Sequence, residues 1–311
     1  MLADEFRPLA TAIEDGIIPA TVTPWTPEYH LAAEDLREHV AALAATDGVV
    51  ALMANAHSGE CKMLDAETYE RVIEVHAAAA GDTPVFAGVY GESSLRAVER
   101  AERAVAAGAE ALMLLPLDVY AHEDPREPVE HFRRVADAVD VPLIDFQFPT
   151  WGSPGVPIDA HVEICSMPQV IGFKEASFDP VRYDRTVRAL AESDAEFTMM
   201  TGNDTFLYHA YVHGAVTGLI GYANLVPDLH VEKVRAVNRG DLERAREIRE
   251  RLLPLTNHLF GEPEGKYRAR CKTALQLQGV FEHDTVLPPQ AGIDDAERAD
   301  LREILADLGR L

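Results

Sequence analysis

Lys174 ends an otherwise apolar run of strand character, in the segment Gln169-Val-Ile-Gly-Phe-Lys-Glu-Ala-Ser177. Burial disfavours a charged ammonium, so the pKa of a lysine in such a place falls from about 10.4 toward neutrality, and the free amine becomes a nucleophile able to form a Schiff base with a carbonyl. The plain alternative is a lysine that snorkels to the surface or pairs with the adjacent Glu175. Which of the two holds depends on the elements that position residue 174.

Short apolar runs alternate with helical patterns along most of the chain. Strand-like runs fall at Ile17–Thr23, Val49–Met53, Val85–Val89, Ala111–Leu115, Pro142–Phe146, Val170–Phe173, Phe197–Met200 and Gly218–Gly221. Helical spacing recurs between them, as at Ala66–Ala79, Leu95–Ala107 and Pro128–Val139, after a short polar lead at the N-terminus. Eight such units predict an α/β fold of the (β/α)8 TIM-barrel type. A doubly wound open sheet is the alternative, but no G-x-G-x-x-G turn follows the first strand to announce a dinucleotide site. From Pro227 the pattern is helical alone, so the barrel is expected over 1–226, with helices of 227–311 packed on its flank.

The formal net charge of −24, from 52 acidic and 28 basic residues, argues against nucleic acid or an anionic membrane as partner. Cys61, Cys165 and Cys271 are far apart and in no metal-ligand spacing, so neither a disulfide framework nor a zinc site is expected. With no signal-like start and no apolar run long enough to span a bilayer, a cytoplasmic location is expected.

In a barrel of this kind the chemistry sits at the C-terminal ends of the strands. That filter selects Thr23, the segment Asn55-Ala-His-Ser-Gly-Glu60, Tyr90-Gly-Glu92, Pro116-Leu-Asp118, Phe146-Gln-Phe-Pro149, Lys174, Gly202-Asn-Asp204 and Tyr222-Ala-Asn224. Tyr222 and Asn224 are candidates to line the pocket, whereas Asp204 reads most economically as a helix N-cap.

These segments, with Gly16-Ile-Ile-Pro-Ala-Thr-Val-Thr-Pro24, Ser58-Gly-Glu60, Gly172-Phe-Lys-Glu-Ala-Ser177, Thr201-Gly-Asn-Asp204, Gly214-Ala-Val-Thr-Gly-Leu-Ile220 and Leu287-Pro-Pro289 in that order, resemble the pyruvate-dependent class I aldolases and lyases typified by dihydrodipicolinate synthase and N-acetylneuraminate lyase. The resemblance spans nearly the whole chain. It implies a Schiff base between Lys174 and a 2-oxo acid such as pyruvate, with no metal or organic cofactor, in a homotetramer or dimer. It also implies a carboxylate cradle made by the Ser58 hydroxyl and the N–H groups of Ser58 and Gly59. Glu60 is expected as a buried hydrogen-bond partner shaping that loop, and Cys61 as an inert core thiol.

The chain departs from the family where proton transfer is normally arranged. Phe146 stands where the family has its relay tyrosine, His57 where it has a Thr or Ser, and Leu117-Asp118 where an aromatic pair is expected. Phenylalanine has no hydroxyl to donate or accept. Trp151 replaces the arginine that synthase members use for a second carboxylate, which argues against dihydrodipicolinate synthase proper. Phe148 and Trp151 instead predict an apolar or aromatic-lined entrance. His57 has two readings: it takes over acid/base work, oriented by Asp118, or it only hydrogen-bonds a loop carbonyl. The expected activity is retro-aldol cleavage, aldol addition or dehydration of a 2-oxo acid. Its alternatives are a deoxy sugar-acid dehydratase of the same family and a 2-oxo-acid-binding barrel with weakened catalysis.

Overall fold

A strand buried on both faces needs apolar side chains in both alternating sets, and the eight runs meet that condition. In the computed structural model, which describes residues 1–117, 124–148 and 155–311, they form β1 (Ile17–Pro19), β2 (Leu52–Ala54), β3 (Val85–Val89), β4 (Ala111–Leu114), β5 (Leu143–Gln147), β6 (Val170–Glu175), β7 (Thr198–Thr201) and β8 (Thr217–Ile220). Every ladder is parallel and the spatial order is β1-β8-β7-β6-β5-β4-β3-β2. Parallel bridges Ile17–Val49 and Ala20–Met53 join the first strand to the second and close the barrel. The expected (β/α)8 architecture is therefore the one found.

The helices are α1 (Arg7–Ala12), α2 (Ala33–Ala44), α3 (Ala66–Ala79), α4 (Ser94–Ala106), α5 (Arg126–Ala136), α6 (Ile158–Cys165), α7 (Pro180–Ala191), α8 (Leu207–Val212), α9 (Pro227–Asn238), α10 (Leu242–Leu259), α11 (Tyr267–Leu277) and α12 (Asp295–Asp307). Several start where the sequence supplies a cap. Asp65, Ser93, Asp179, Asp241 and Asp294 each accept a backbone N–H of the following first turn.

Period-two alternation divides the apolar residues into two cores. Val85, Ala87, Leu112 and Leu114 point outward to the helices, while Phe86, Met113, Ile144 and Met200 fill the barrel interior. The polar lead expected at the N-terminus contains α1, which plugs the bottom of the barrel. Ala10 and Ile13 join the interior core, and Thr198 and Thr217 donate their hydroxyls to the Ala10 and Ile13 carbonyls. The short helix has little amphipathic periodicity of its own, so only tertiary packing reveals it.

α9 packs on β1 and β8 and serves as the eighth barrel helix, although it lies beyond residue 226. α10 lies against α9, and α11 then returns to the C-terminal mouth, where the catalytic ends of the strands open.

Candidate active site

Lys174 sits on β6, level with Phe146 of β5 and Met200 of β7, and is 6% exposed. It neither snorkels to solvent nor pairs with Glu175. Alternation turns Glu175 the other way, where its carboxylate accepts from Asn203 Nδ2 at 2.6 Å. The ammonium instead lies over the Phe146 ring, 4.2 Å from its centroid, so a π-face stands where a hydroxyl would be. Burial lowers the Lys174 pKa from its ordinary value, and the charge of Asp204 offsets part of that shift. Gly202 lets the next loop pass close by, since a Cβ there would overlap Lys174 Cε.

The loop after β2 is held from below. Thr23 Oγ1 donates to the Gly59 carbonyl at 3.0 Å, and Ser58 Oγ donates to the Ala20 carbonyl at 2.9 Å. Among the described residues, the backbone N–H groups of Ser58 and Gly59 have no hydrogen-bond partner. Paired donors of this kind form an anion-binding concavity. Glu60, in the left-handed region at φ 60°, fixes the far side of the turn. Its carboxylate accepts from Trp25 Nε1 at 2.8 Å, Lys272 Nζ at 2.7 Å and Gln290 Nε2 at 2.9 Å. Burial pushes the neighbouring Cys61 thiol up to about 11, which keeps it a protonated core group.

α11 reaches this loop with two cations one turn apart, Arg268 and Lys272. Arg268 Nε donates to the His57 carbonyl and Nη2 approaches His57 Nε2, each at 2.9 Å. A guanidinium can only donate, so Nε2 must present its lone pair. Nδ1 then carries the proton and donates to Tyr267 Oη at 3.0 Å. Burial, then the charge of Arg268, hold the His57 pKa well below the usual histidine range. His57 is engaged at both ring nitrogens and fixes Arg268, an arrangement that favours a positioning role over the acid/base one.

These groups surround one cavity of about 420 Å³. Lys174 and Ser58 lie at its floor, and Phe146, Phe148, Phe178, Phe260 and Tyr267 form apolar walls. Phe148 packs on the His57 ring with centroids 4.4 Å apart. Phe178 is held at φ 58°, its N–H donating to Asn203 Oδ1 at 2.8 Å. Among the described residues, no group of three or more His, Cys, Asp or Glu side chains could hold a metal ion.

Two expected pocket residues lie elsewhere. Tyr222 points into the C-terminal helices, its hydroxyl 3.0 Å from Thr256 Oγ1 and its ring edge-on to His230. Asn224 is buried one layer below, donating to the Ala20 and Gly221 carbonyls and bonded to His39 Nε2. Both support the floor without lining the cavity. A strand end only gives a side chain's position along the barrel; the helical turn at Tyr222–Asn224 rotates both residues away. Asp118 and Trp151 lie outside the described residues.

Other lining residues were not singled out from the sequence. Arg268, Tyr267 and Phe260 come from helices expected on the flank. A signal was present in Arg268, Arg270 and Lys272, which place three cations within a helix that also carries Ala269, Cys271, Ala274 and Leu275. Asp204 does not cap α8, whose N-cap is Phe206; it faces the cavity instead.

Residues 14–308 match the dihydrodipicolinate synthetase family. The chain is 30% identical over 295 residues to a 4-hydroxy-tetrahydrodipicolinate synthase of Natronomonas pharaonis, covering 95% of this chain and 98% of that one. It is also 30% identical over 297 residues to an uncharacterized DapA-like lyase of Halobacterium salinarum, covering 95% and 94% respectively. Among solved structures, dihydrodipicolinate synthase from Aquifex aeolicus superposes with a TM-score of 0.85 at 26% identity, covering 96% of this chain and 98% of that one.

Proposed function

We propose that this chain, which belongs to the dihydrodipicolinate synthetase family, is a Schiff-base lyase acting on pyruvate or another 2-oxo acid. The observation that carries this reading is Lys174 itself, a desolvated amine with no direct ion-pair partner among the described residues, lining a cavity open to small molecules. Its amine attacks the C2 carbonyl, and the resulting iminium serves as the electron sink for carbon–carbon cleavage, aldol addition or loss of a β-hydroxyl. The N–H groups of Ser58 and Gly59 hold the substrate carboxylate, with the Ser58 hydroxyl beside them.

Arg268 adds a charge to the same end of the cavity. Its Nη1 has no partner among the described residues. Trp151, in place of the arginine of synthase members, supports an acceptor other than the amino-acid semialdehyde of a true synthase. The aromatic walls favour an acceptor or leaving group with apolar surface. Arg268→Met is expected to raise KM for the 2-oxo acid about 10- to 100-fold, the loss of one charge-assisted contact, with a smaller fall in kcat. Steady-state kinetics against pyruvate and larger 2-oxo acids check this.

The direct test is borohydride reduction in the presence of pyruvate, followed by intact mass and peptide mapping. A reduced adduct on Lys174 is the expected result. Its absence with pyruvate and with a panel of 2-oxo acids would leave the binding barrel, favoured by the missing hydroxyl at Phe146, as the better reading. Product analysis of turning-over protein separates aldol cleavage from dehydration.

A further inference from the structure

We propose that Asp204 carries the protons of imine formation at Lys174, in the role vacated at Phe146; this rests on the Schiff-base reading above. Asp204 is the only carboxylate among the described residues that line the cavity. Its loop is brought against the lysine by Gly202, where any side chain would collide with Lys174 Cε. Asp204 Oδ1 is shut off from solvent and, among the described residues, has no hydrogen-bond partner, so it retains an acceptor site.

The other groups in the cavity are poorly placed for the task. His57 is engaged at both ring nitrogens. The Tyr267 phenol is pushed far up by burial and is a weak acid there. Ser58 donates to the Ala20 carbonyl. Phe146 has no exchangeable proton.

The charges of two buried lysines on different elements, Lys174 of β6 and Lys233 of α9, act on Asp204. The N–H groups of Gly221 and Tyr222 also act on its carboxylate, and its charge is felt by the Tyr211, Tyr222 and Tyr267 hydroxyls and the Cys271 thiol. Burial raises its pKa against these favourable charges while burial lowers that of Lys174, so the two converge. Lys233, brought down to about 7 by burial, has no ion pair among the described residues, and Asp204 is the acid that supports its charge.

The step balances as follows. The Lys174 amine forms a bond to C2 as the carbonyl π pair moves onto oxygen. That oxygen collects one proton from the nitrogen and one from the Asp204 carboxyl, and leaves as water while the nitrogen lone pair closes the C=N bond. The iminium keeps one N–H and Asp204 is left as carboxylate, ready to take a proton from the water that later hydrolyses the imine. Lys174 and Asp204 must hold one proton between them at the start. Trapping should therefore follow a bell, falling in acid where both are protonated and in alkali where neither is.

Rapid-quench borohydride trapping with pyruvate across pH tests this on wild type, Asp204→Asn and Lys233→Met. Asp204→Asn is nearly isosteric, and is expected to slow adduct formation about 10²- to 10⁴-fold and to replace the bell by a single rise as the amine deprotonates. Lys233→Met removes a cation that favours the carboxylate, so the acid limb should move to higher pH with the alkaline limb in place. An unchanged bell and rate in Asp204→Asn would overturn the proposal and leave the Schiff-base reading intact. Should that variant fail to fold, an unmoved acid limb in Lys233→Met would overturn it equally. No adduct in the wild type would overturn both.

Discussion

Lys174→Ala is expected to abolish borohydride trapping and to cut turnover by on the order of 10⁴-fold or more, the scale on which loss of a covalent nucleophile is measured. The fold should persist, because the deletion removes a desolvated ammonium that makes no hydrogen bond or ion pair among the described residues. Its contact with the Phe146 ring is lost. Binding should survive in part, since the Ser58 and Gly59 N–H groups and Arg268 come from other elements. Calorimetric titration with pyruvate therefore separates a chemical defect from a structural one. Retained turnover in this variant would remove the Schiff-base mechanism altogether.

Lys272→Met is expected to have the largest effect on stability. Lys272 and Glu60 form a 2.7 Å ion pair whose side chains are both fully buried. Removing one partner leaves a carboxylate in a dry site, which costs about 3–5 kcal/mol where such pairs have been broken. Burial lowers the Lys272 pKa even against the pull of Glu60, in keeping with a costly site for charge. Urea unfolding of wild type and variant checks the size of the loss. Adding Glu60→Gln should recover part of the loss, and a single variant as stable as wild type would show that the pair contributes nothing net.

The barrel was legible because each strand is short, apolar on both faces and followed by a helical pattern, and the position of Lys174 follows from that register. Phe146 could be recognised as a missing hydroxyl from the sequence, and the structure pairs it directly with Lys174 across β5 and β6. What stayed hidden depends on rotation and return of the chain. Asp204 has the look of a cap, yet the helix begins later and the carboxylate turns inward. His57 could be located on its loop, but which of its ring nitrogens presents a lone pair is decided by Arg268, on a helix far along the chain. Periodicity shows that α11 has a buried face; it does not say that the face covers the mouth of the barrel.

That return of α11 separates two properties of one cavity along the chain. Lys174 and Asp204, to which the proposed chemistry is assigned, belong to the strands and their loops, whereas Phe260, Tyr267 and Arg268, which line the same cavity, belong to the segment after residue 226. A recombination crossover near that point would exchange those walls while leaving Lys174 untouched. The graft would have to preserve two junctions, Arg268 on His57 and Lys272 on Glu60. A barrel joined in this way can acquire a new diet by trading its tail.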